Sequence, residues 1–299
     1  MPNLRDIQKR ITSTNSTRQI TRTMEMVATA KIKRAQSAIE AARPYALAMM
    51  EVLGNVARYV QGASHPLLEV HEKHERVVVI PVTSDRGMAG AFNSNILRLT
   101  EGVIESEREK GATSEIIAVG KKAVNYFRYR EIVPLRSFRD ISDKPTFADA
   151  RAIASEVVER YTTGEIDGAT IVFNRFKNVA EQKPEIHQLL PIERRALEEA
   201  EGALSKDIPP EYMFEPDAET VLERLLPTYV ETLVFRALME SAASEQGARR
   251  TAMKSATDNA TDMITLYSRQ YNRARQAAIT NEIAEIVGGA AALEDENEE

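Results

Sequence analysis

Apolar side chains return every three or four residues over the first part of the chain. Leu4, Ile7 and Ile11 form one run, Ile20, Met24 and Val27 a second, and Ile32, Ala35 and Ile39 a third, with a break in phase between Ile11 and Ile20. Such steps match a turn of about 3.6 residues and predict a long amphipathic helix over residues 3–60. Pro44 has no N–H and crowds the turn before it, which predicts a kink or split at that point. The string QGASHP at 61–66 closes the region.

From 76 to 192 the period changes. RVVVIPVT is a β-branched run and predicts a buried strand. SDRGMAGAFN, at 84–93, predicts a turn followed by a helix to about Lys110. EIIAVG predicts a second strand with a helix after it from Lys121, and a third helix is expected over 146–161. GATIVFNRF and PEIHQLLPI read as two further strands, close enough to pair antiparallel. Alternating strands and helices imply an α/β domain with a mostly parallel, Rossmann-like sheet.

The helical period returns from about Asp217, with one interruption at Pro227. Residues 228–287 contain no proline and a single glycine, Gly247. That is about 90 Å of helix at ~1.5 Å per residue, too long for a compact domain to bury. A helix of that length in water needs a partner along its apolar stripe. The N-terminal helix is nearest in length, so the two ends of the chain are expected to pair as an antiparallel coiled coil with the α/β domain inserted. The stripe starts large at Val230, Leu233, Val234 and Leu238 and turns small at Ala242, Ala248, Ala252, Ala256 and Ala260. It widens again at Met263, Ile264, Tyr267 and Tyr271. The fold class is therefore α/β with long helices. Its parts are a coiled-coil helix over 1–62, a globular domain over 75–205, a second coiled-coil helix over 211–293 and an acidic tail over 294–299.

The segment ARQAAITNEIAEIVGGAAAL, at 274–293, is apolar nearly all the way round. On a helical wheel Ile279, Ile283, Ile286 and Val287 fall on one side, and Ala274, Ala277, Ala278 and Ala284 roughly opposite. A bulky seam suits one packed helix partner, and a separate smooth face implies a second surface. A helix buried in a large core is the plainer alternative.

Composition narrows the chemistry. The 299 residues allow one large or two ordinary domains, and 43% are hydrophobic, enough for a real core. The absence of cysteine excludes disulfides, thiolate metal sites and cysteine nucleophiles. No apolar run reaches the ~18 residues of a membrane span, and the basic N-terminus lacks the apolar core of a signal peptide. The net charge of −6 is uneven. Residues 1–36 hold eight Lys or Arg against two acids, residues 193–219 hold nine acids against three bases, and the tail EDENEE adds −5. A basic arm is a solvated helix face, or it meets an acidic partner or nucleic acid.

No catalytic constellation emerges. The 84–93 turn follows a strand and precedes a helix, where backbone N–H groups can hold an anion. It is neither a P-loop nor the three-glycine dinucleotide fingerprint, and a tight turn capped by Asn93 or Ser94 explains it equally. Gly120 in GKK is an isolated match in a loop. His65, His71, His74 and His187 form no ligand set, and the 71/74 pair lies in a charged linker read as solvated. Arg273 and Arg275, beside Gln276, and Lys31, Lys33 and Arg34 suit either an exposed face or an acidic partner. No aromatic residues interleave with them as nucleic-acid binding would require.

Three segments carry a family resemblance: ITRTMEMVATAKIKRAQ, SDRGMAGAFN and MKSATDNATDMI with YNRARQAAITNEIAEIVGGAAAL. Over nearly its whole length the chain resembles the gamma subunit of F-type ATP synthases. The resemblance implies a rotor shaft with no cofactor and no catalysis of its own. The shaft would stand inside a ring of alpha and beta subunits, with its foot on the membrane c-ring beside epsilon. It implies beta-subunit contacts at Met24 and Glu25, at Arg86 and Ala89 in the 84–93 loop, and at Arg275 and Gln276. It implies an apolar bearing tip at Ala277, Ala278, Ile283 and Val287, the bulky seam facing the N-terminal helix and the alanine side facing the sleeve. EYMFEP resembles the foot segment, placing Tyr212, Phe214 and Glu215 against the c-ring or epsilon. Alanine stands at 89 and 91 where the family often has cysteine and glycine, so thiol chemistry is absent there. The acidic tail runs past the usual ending, and no cysteine-bearing redox insert is present. A bacterial origin follows, with a peripheral position on the cytoplasmic side of the inner membrane. Two rivals stand beside this reading. A stand-alone α/β enzyme with coiled-coil arms is opposed by the missing P-loop, and a coiled-coil scaffold or nucleic-acid binder predicts salt-dependent binding.

Overall fold

A computed structural model describes residues 3–59, 65–192, 215 and 217–295. The chain divides into two compact units. One comprises the residues up to Val27 and those from Ala252 onward, and the other is Ala28–Thr251. Helix α1 (Leu4–Tyr59) and helix α5 (Ala218–Asp295) each contribute one end to each unit.

In the first unit the two helix ends run antiparallel. Thr21 meets Thr257 across the seam at 2.7 Å, while Tyr271 lines a groove with Leu4, Gln8 and Thr12. The shielded positions of α1 include Leu4, Ile7, Ile11, Thr14, Arg18, Thr21 and Glu25, spaced by three and four in turn, with Asn15 and Met24 flanking them. Those of α5 include Met253, Thr257, Ala260, Ile264, Tyr267, Tyr271 and Ala274, with the same spacing, flanked by Ala252, Ala256 and Ser268. A 3.5-residue period is the signature of a coiled-coil seam. The seam therefore does not lose phase after Ile11, as the apolar residues alone suggest. It continues through polar side chains, and Ile20 (60% exposed) and Val27 (51%) point outward instead.

With Thr21 level with Thr257, Leu4 lies level with about residue 274, because both helices rise equally. The last turns of α5 thus extend past the start of α1. Ile279, Ile283 (57% exposed), Ile286 and Val287 (62%) are all solvent-exposed. The expectation that this bulky seam packs on the N-terminal helix is overturned, because no turn of α1 reaches that level. It is the Ala274–Ala277–Ala278 side that is partly shielded.

The second unit is built on a five-stranded sheet. Its strands are β1 (Arg76–Pro81), β2 (Thr113–Val119), β3 (Arg136–Phe138), β4 (Gly168–Phe176) and β5 (Gln182–Leu190), in the order β3-β2-β1-β4-β5. All neighbouring pairs are parallel except the β4–β5 hairpin. Central β1 is buried on both faces, which is why it reads as an unbroken apolar run. Val79 points to one side, with Ile96 and Leu97 of α2 (Phe92–Glu109) and Val124 and Phe127 of α3 (Lys121–Tyr129). Val78 and Ile80 point to the other, with Ile153 and Val157 of α4 (Phe147–Thr162), Leu53 and Val56 of α1, and Leu226, Val230 and Val234 of α5. The Thr146 hydroxyl and the Asp149 carboxylate close a reciprocal capping box at the start of α4.

Neither proline breaks its helix. Pro44 and Glu40, whose carbonyl loses its donor, are both exposed, where solvent can take the donor's place. Around Pro227, the buried Leu222, Leu226, Tyr229 and Val230 hold α5 against the sheet. Each contributes roughly 1.5–3 kcal/mol, together more than the ~3 kcal/mol a mid-helix proline costs. Gly247 marks a close approach. A Cβ there would meet the Gln182 side-chain amide at 2.9 Å, beside the β4–β5 turn.

The linker before β1 is exposed over most of its length, His74 included, but it is anchored at His71. His71 stacks on Tyr161 with ring centroids 4.3 Å apart, and its Nδ1 lies 3.2 Å from Asp167. Burial pushes the Tyr161 hydroxyl up to about 12, and it donates to the Glu69 carbonyl. His74 pairs with Glu107 at 2.5 Å.

Candidate functional site

The loop between β1 and α2 is pinned at its start and at two inner carbonyls, those of Arg86 and Gly87. The Ser84 N–H donates to Asn93 Oδ1 (2.9 Å), and the Ser84 hydroxyl donates to the Arg86 carbonyl (2.5 Å). Asp85 accepts the Lys121 and Ser142 N–H groups, each at 3.0 Å, and its own N–H donates to the Ser142 hydroxyl at 3.0 Å. Burial alone would raise the Asp85 pKa. The amides of Asp140, Ser142 and Lys121 and the Ser142 hydroxyl outweigh it, so the carboxyl lies below its ordinary range. Asn93 thus acts from its side chain as a loop clasp, while no side chain caps α2.

Met88 and Gly90 both take positive φ, +62° and +56°. The double turn drives Ala89 inside, where it is 2% exposed, and leaves Arg86 and Met88 in solvent. The surface this loop offers is therefore made by Arg86 and Met88. Ala89 supports it from within and cannot itself be touched.

Behind the loop sits a polar cluster that the sequence reading did not single out. Arg249 of α5 donates to Glu245 at 2.7 Å and to the Gly87 carbonyl at 3.3 Å. The pair is nearly enclosed, with side-chain exposures of 10% and 3%. Burial raises the Glu245 pKa, and Arg249 and Ser142 only partly pull it back. Asp143 accepts both Lys31 of α1 (2.6 Å) and Gln246 of α5 (3.4 Å). Lys31 is thus engaged within the chain, whereas Lys33 and Arg34 are exposed.

The remaining sequence-derived positions lie on the helix ends of the first unit. Met24 and Glu25 are partly buried, Glu25 in the seam and Met24 beside it, and Arg275 and Gln276 are exposed. The Thr21–Thr257 register sets Met24 level with about residue 254. About twenty residues, on the order of 30 Å, then separate it along the coil from Arg275. They form two stations and not one site. Ala277 and Ala278 are partly shielded, and Ile283 and Val287 are exposed. Glu215 is exposed, while Tyr212 and Phe214 lie outside the described residues. Among the described residues no cluster of metal-ligating side chains occurs, and no helix is long and apolar enough to cross a membrane.

A family model described as ATP synthase matches residues 3–293. The ATP synthase gamma chain of Desulforamulus reducens is 49% identical over 294 residues, covering 98% of this chain and 100% of the relative. The chain belongs to the ATP synthase gamma chain family. The gamma chain of Moorella thermoacetica is 44% identical over 293 residues, with 98% and 100% coverage. Solved relatives of the family share the fold. A chain of the Euglena gracilis mitochondrial ATP synthase, from its OSCP/F1/c-ring structure, aligns with a TM-score of 0.68 and 25% identity over 97% of this chain and 94% of that one. A chain of the Tetrahymena thermophila mitochondrial ATP synthase central stalk and c-ring aligns with a TM-score of 0.61 and 26% identity, covering 79% and 99%. Within the family, then, this chain is a central-stalk subunit.

Proposed function

We propose that this chain is the non-catalytic shaft of a bacterial F-type ATP synthase. It couples rotation of an ion-driven c-ring to conformational change in the catalytic beta subunits. It works peripherally on the cytoplasmic side of the inner membrane, with alpha, beta, epsilon and the c-ring as partners. The observation that carries the reading is the free end of α5, which presents Ile279, Ile283, Ile286 and Val287 to solvent beyond the reach of α1. A lone amphipathic end with that much exposed apolar surface suits a socket in another protein. A sleeve lined by apolar side chains grips such a tip without strong directional bonds and leaves it free to turn.

The mechanism follows from three levels along the shaft. The tip is Ala277, Ala278, Ile283 and Val287, where few charges would lock an angle. Next to it, Arg275 and Gln276 offer a guanidinium and an amide for hydrogen bonds to a beta subunit. About 30 Å further along, Met24 and Glu25 meet the lever of the same ring. A stiff, asymmetric coil touching the ring at separated heights presents a different profile to each beta subunit at every angle. Each is thereby biased toward a different conformation, which is a coupling free energy carried by one rigid element. Arg86, in the loop after β1, adds a contact to beta with Met88 beside it. The foot, at Tyr212, Phe214 and Glu215, rests on the c-ring or epsilon.

Co-expression with alpha and beta subunits tests the reading. Rotation of an immobilised complex driven by ATP should require this chain, and the isolated chain should hydrolyse no ATP. A complex that rotates without it, or a free chain that turns over ATP, would refute the proposal.

A further inference from the structure

We infer that Arg249 is a positioning residue that ties the Arg86 loop to helix α5, so that load taken up by the Arg86 guanidinium enters the long helix instead of bending the loop. The inference rests on the rotor reading above. Arg86 has a free side chain on a fixed backbone. The Ser84 hydroxyl holds its carbonyl, and Arg249 holds the next carbonyl, that of Gly87. One guanidinium nitrogen, Nη2, reaches both acceptors, Gly87 and Glu245, and lysine, one bond shorter and without the fixed plane of N–H groups, cannot set its ammonium at the same point. An enclosed ion pair is a weak source of stability compared with apolar packing. Its position directly behind the loop therefore calls for another reason, and bracing supplies one.

The brace is not confined to one bond. Ser142, whose hydroxyl accepts the Asp85 N–H, lies within hydrogen-bond reach of Glu245. The next residue, Asp143, takes Lys31 from α1 and Gln246 from α5. Pulling on the loop thus loads Arg249 directly and both long helices through the 142–143 segment.

Two variants test this: Arg249→Lys, which keeps the charge opposite Glu245, and the paired Glu245→Met/Arg249→Met, which replaces the ion pair with apolar bulk. Amide exchange on the free chain should quicken at residues 85–91 by on the order of tenfold in both, with the protection of β1 and β4 unchanged. In the assembled complex, Arg86→Ala should slow rotation under load in the parent and have a much smaller effect beside Arg249→Lys. Undisturbed exchange in the loop, or an Arg86→Ala effect of equal factor in both backgrounds, would overturn the inference. Should the chain prove dispensable for rotation, the rotor reading fails and the force-transmitting role with it. The free-chain exchange still decides separately whether Arg249 holds the loop.

Discussion

The hydroxyls of Thr21 and Thr257 meet at 2.7 Å in the seam between the two helix ends. Each also lies near a carbonyl of its own helix, Arg18 for one and Met253 for the other. Neither proton is therefore stranded, whichever hydroxyl donates across. The bond sits where the α1 seam is polar, so it helps set which turn of one helix faces which turn of the other, as polar seam residues do in coiled coils. Thr21→Val should cost about 0.5–1.5 kcal/mol by leaving one hydroxyl facing a methyl group. The double change Thr21→Val/Thr257→Val should recover most of that loss. A double-mutant cycle from denaturant unfolding measures the coupling, and strict additivity would show that the contact contributes nothing.

Gly120 and Gly102 should respond in opposite directions to alanine. Gly120 has φ +88°, and a Cβ there would run into the Thr83 carbonyl. Thr83 cannot yield, because its hydroxyl bridges the Val119 carbonyl and the Ala123 N–H. Gly120→Ala is expected to cost more than ~3 kcal/mol. Gly102 lies inside α2 with open space where a Cβ would go, so Gly102→Ala should gain roughly 0.5–1 kcal/mol. Thermal unfolding of the two variants against the parent makes the comparison.

Asp85 should make the second unit sensitive to acid. Its folded pKa is depressed, so its stabilising effect is complete above the unfolded value of about 3.9. That effect fades as pH falls through the lower folded value. Asp85→Asn should therefore destabilise the protein at neutral pH, with a deficit that shrinks as pH drops below ~4. Denaturant midpoints at neutral and acid pH read this out, and a deficit independent of pH would show that the carboxylate acts by shape alone.

The free end of α5 should matter only in company. Ile283 and Val287 are exposed, so Ile283→Asp/Val287→Asp should shift the stability of the isolated chain by no more than ~0.5 kcal/mol. In the assembled complex the same change should impair rotation by placing charge against an apolar sleeve. Ala277→Trp/Ala278→Trp should impair it by bulk. Rotation rates and free-chain melting measured side by side separate the two effects, and normal rotation in both variants would remove the bearing role.

The strands were legible because RVVVIPVT and GATIVFNRF are short, β-branched apolar runs bounded by turn residues. The middle of the coiled coil was not. A search for recurring large residues follows Ile20 and Val27, which face outward, and passes over Thr14, Arg18, Thr21 and Glu25, which form the seam. Pro44 and Pro227 do not split their helices, since a local rule about one lost hydrogen bond ignores an exposed face at the first and a packed sheet at the second. Arg86 was found through the family motif, whereas Arg249 was not. With Glu245 four residues away it reads as an ordinary helix-surface pair, and only the return of the chain at Gly87 and Ser142 gives it a task.

The close approach at Gly247 has a practical corollary for chimeras. Gln182 donates to the Asn178 and Val179 carbonyls while filling the hollow that Gly247 leaves in α5. Hairpin and helix are thus fitted as key and keyway. A hybrid that takes its hairpin from one species and its long helix from another inherits a working fit only if both halves of that pair travel together.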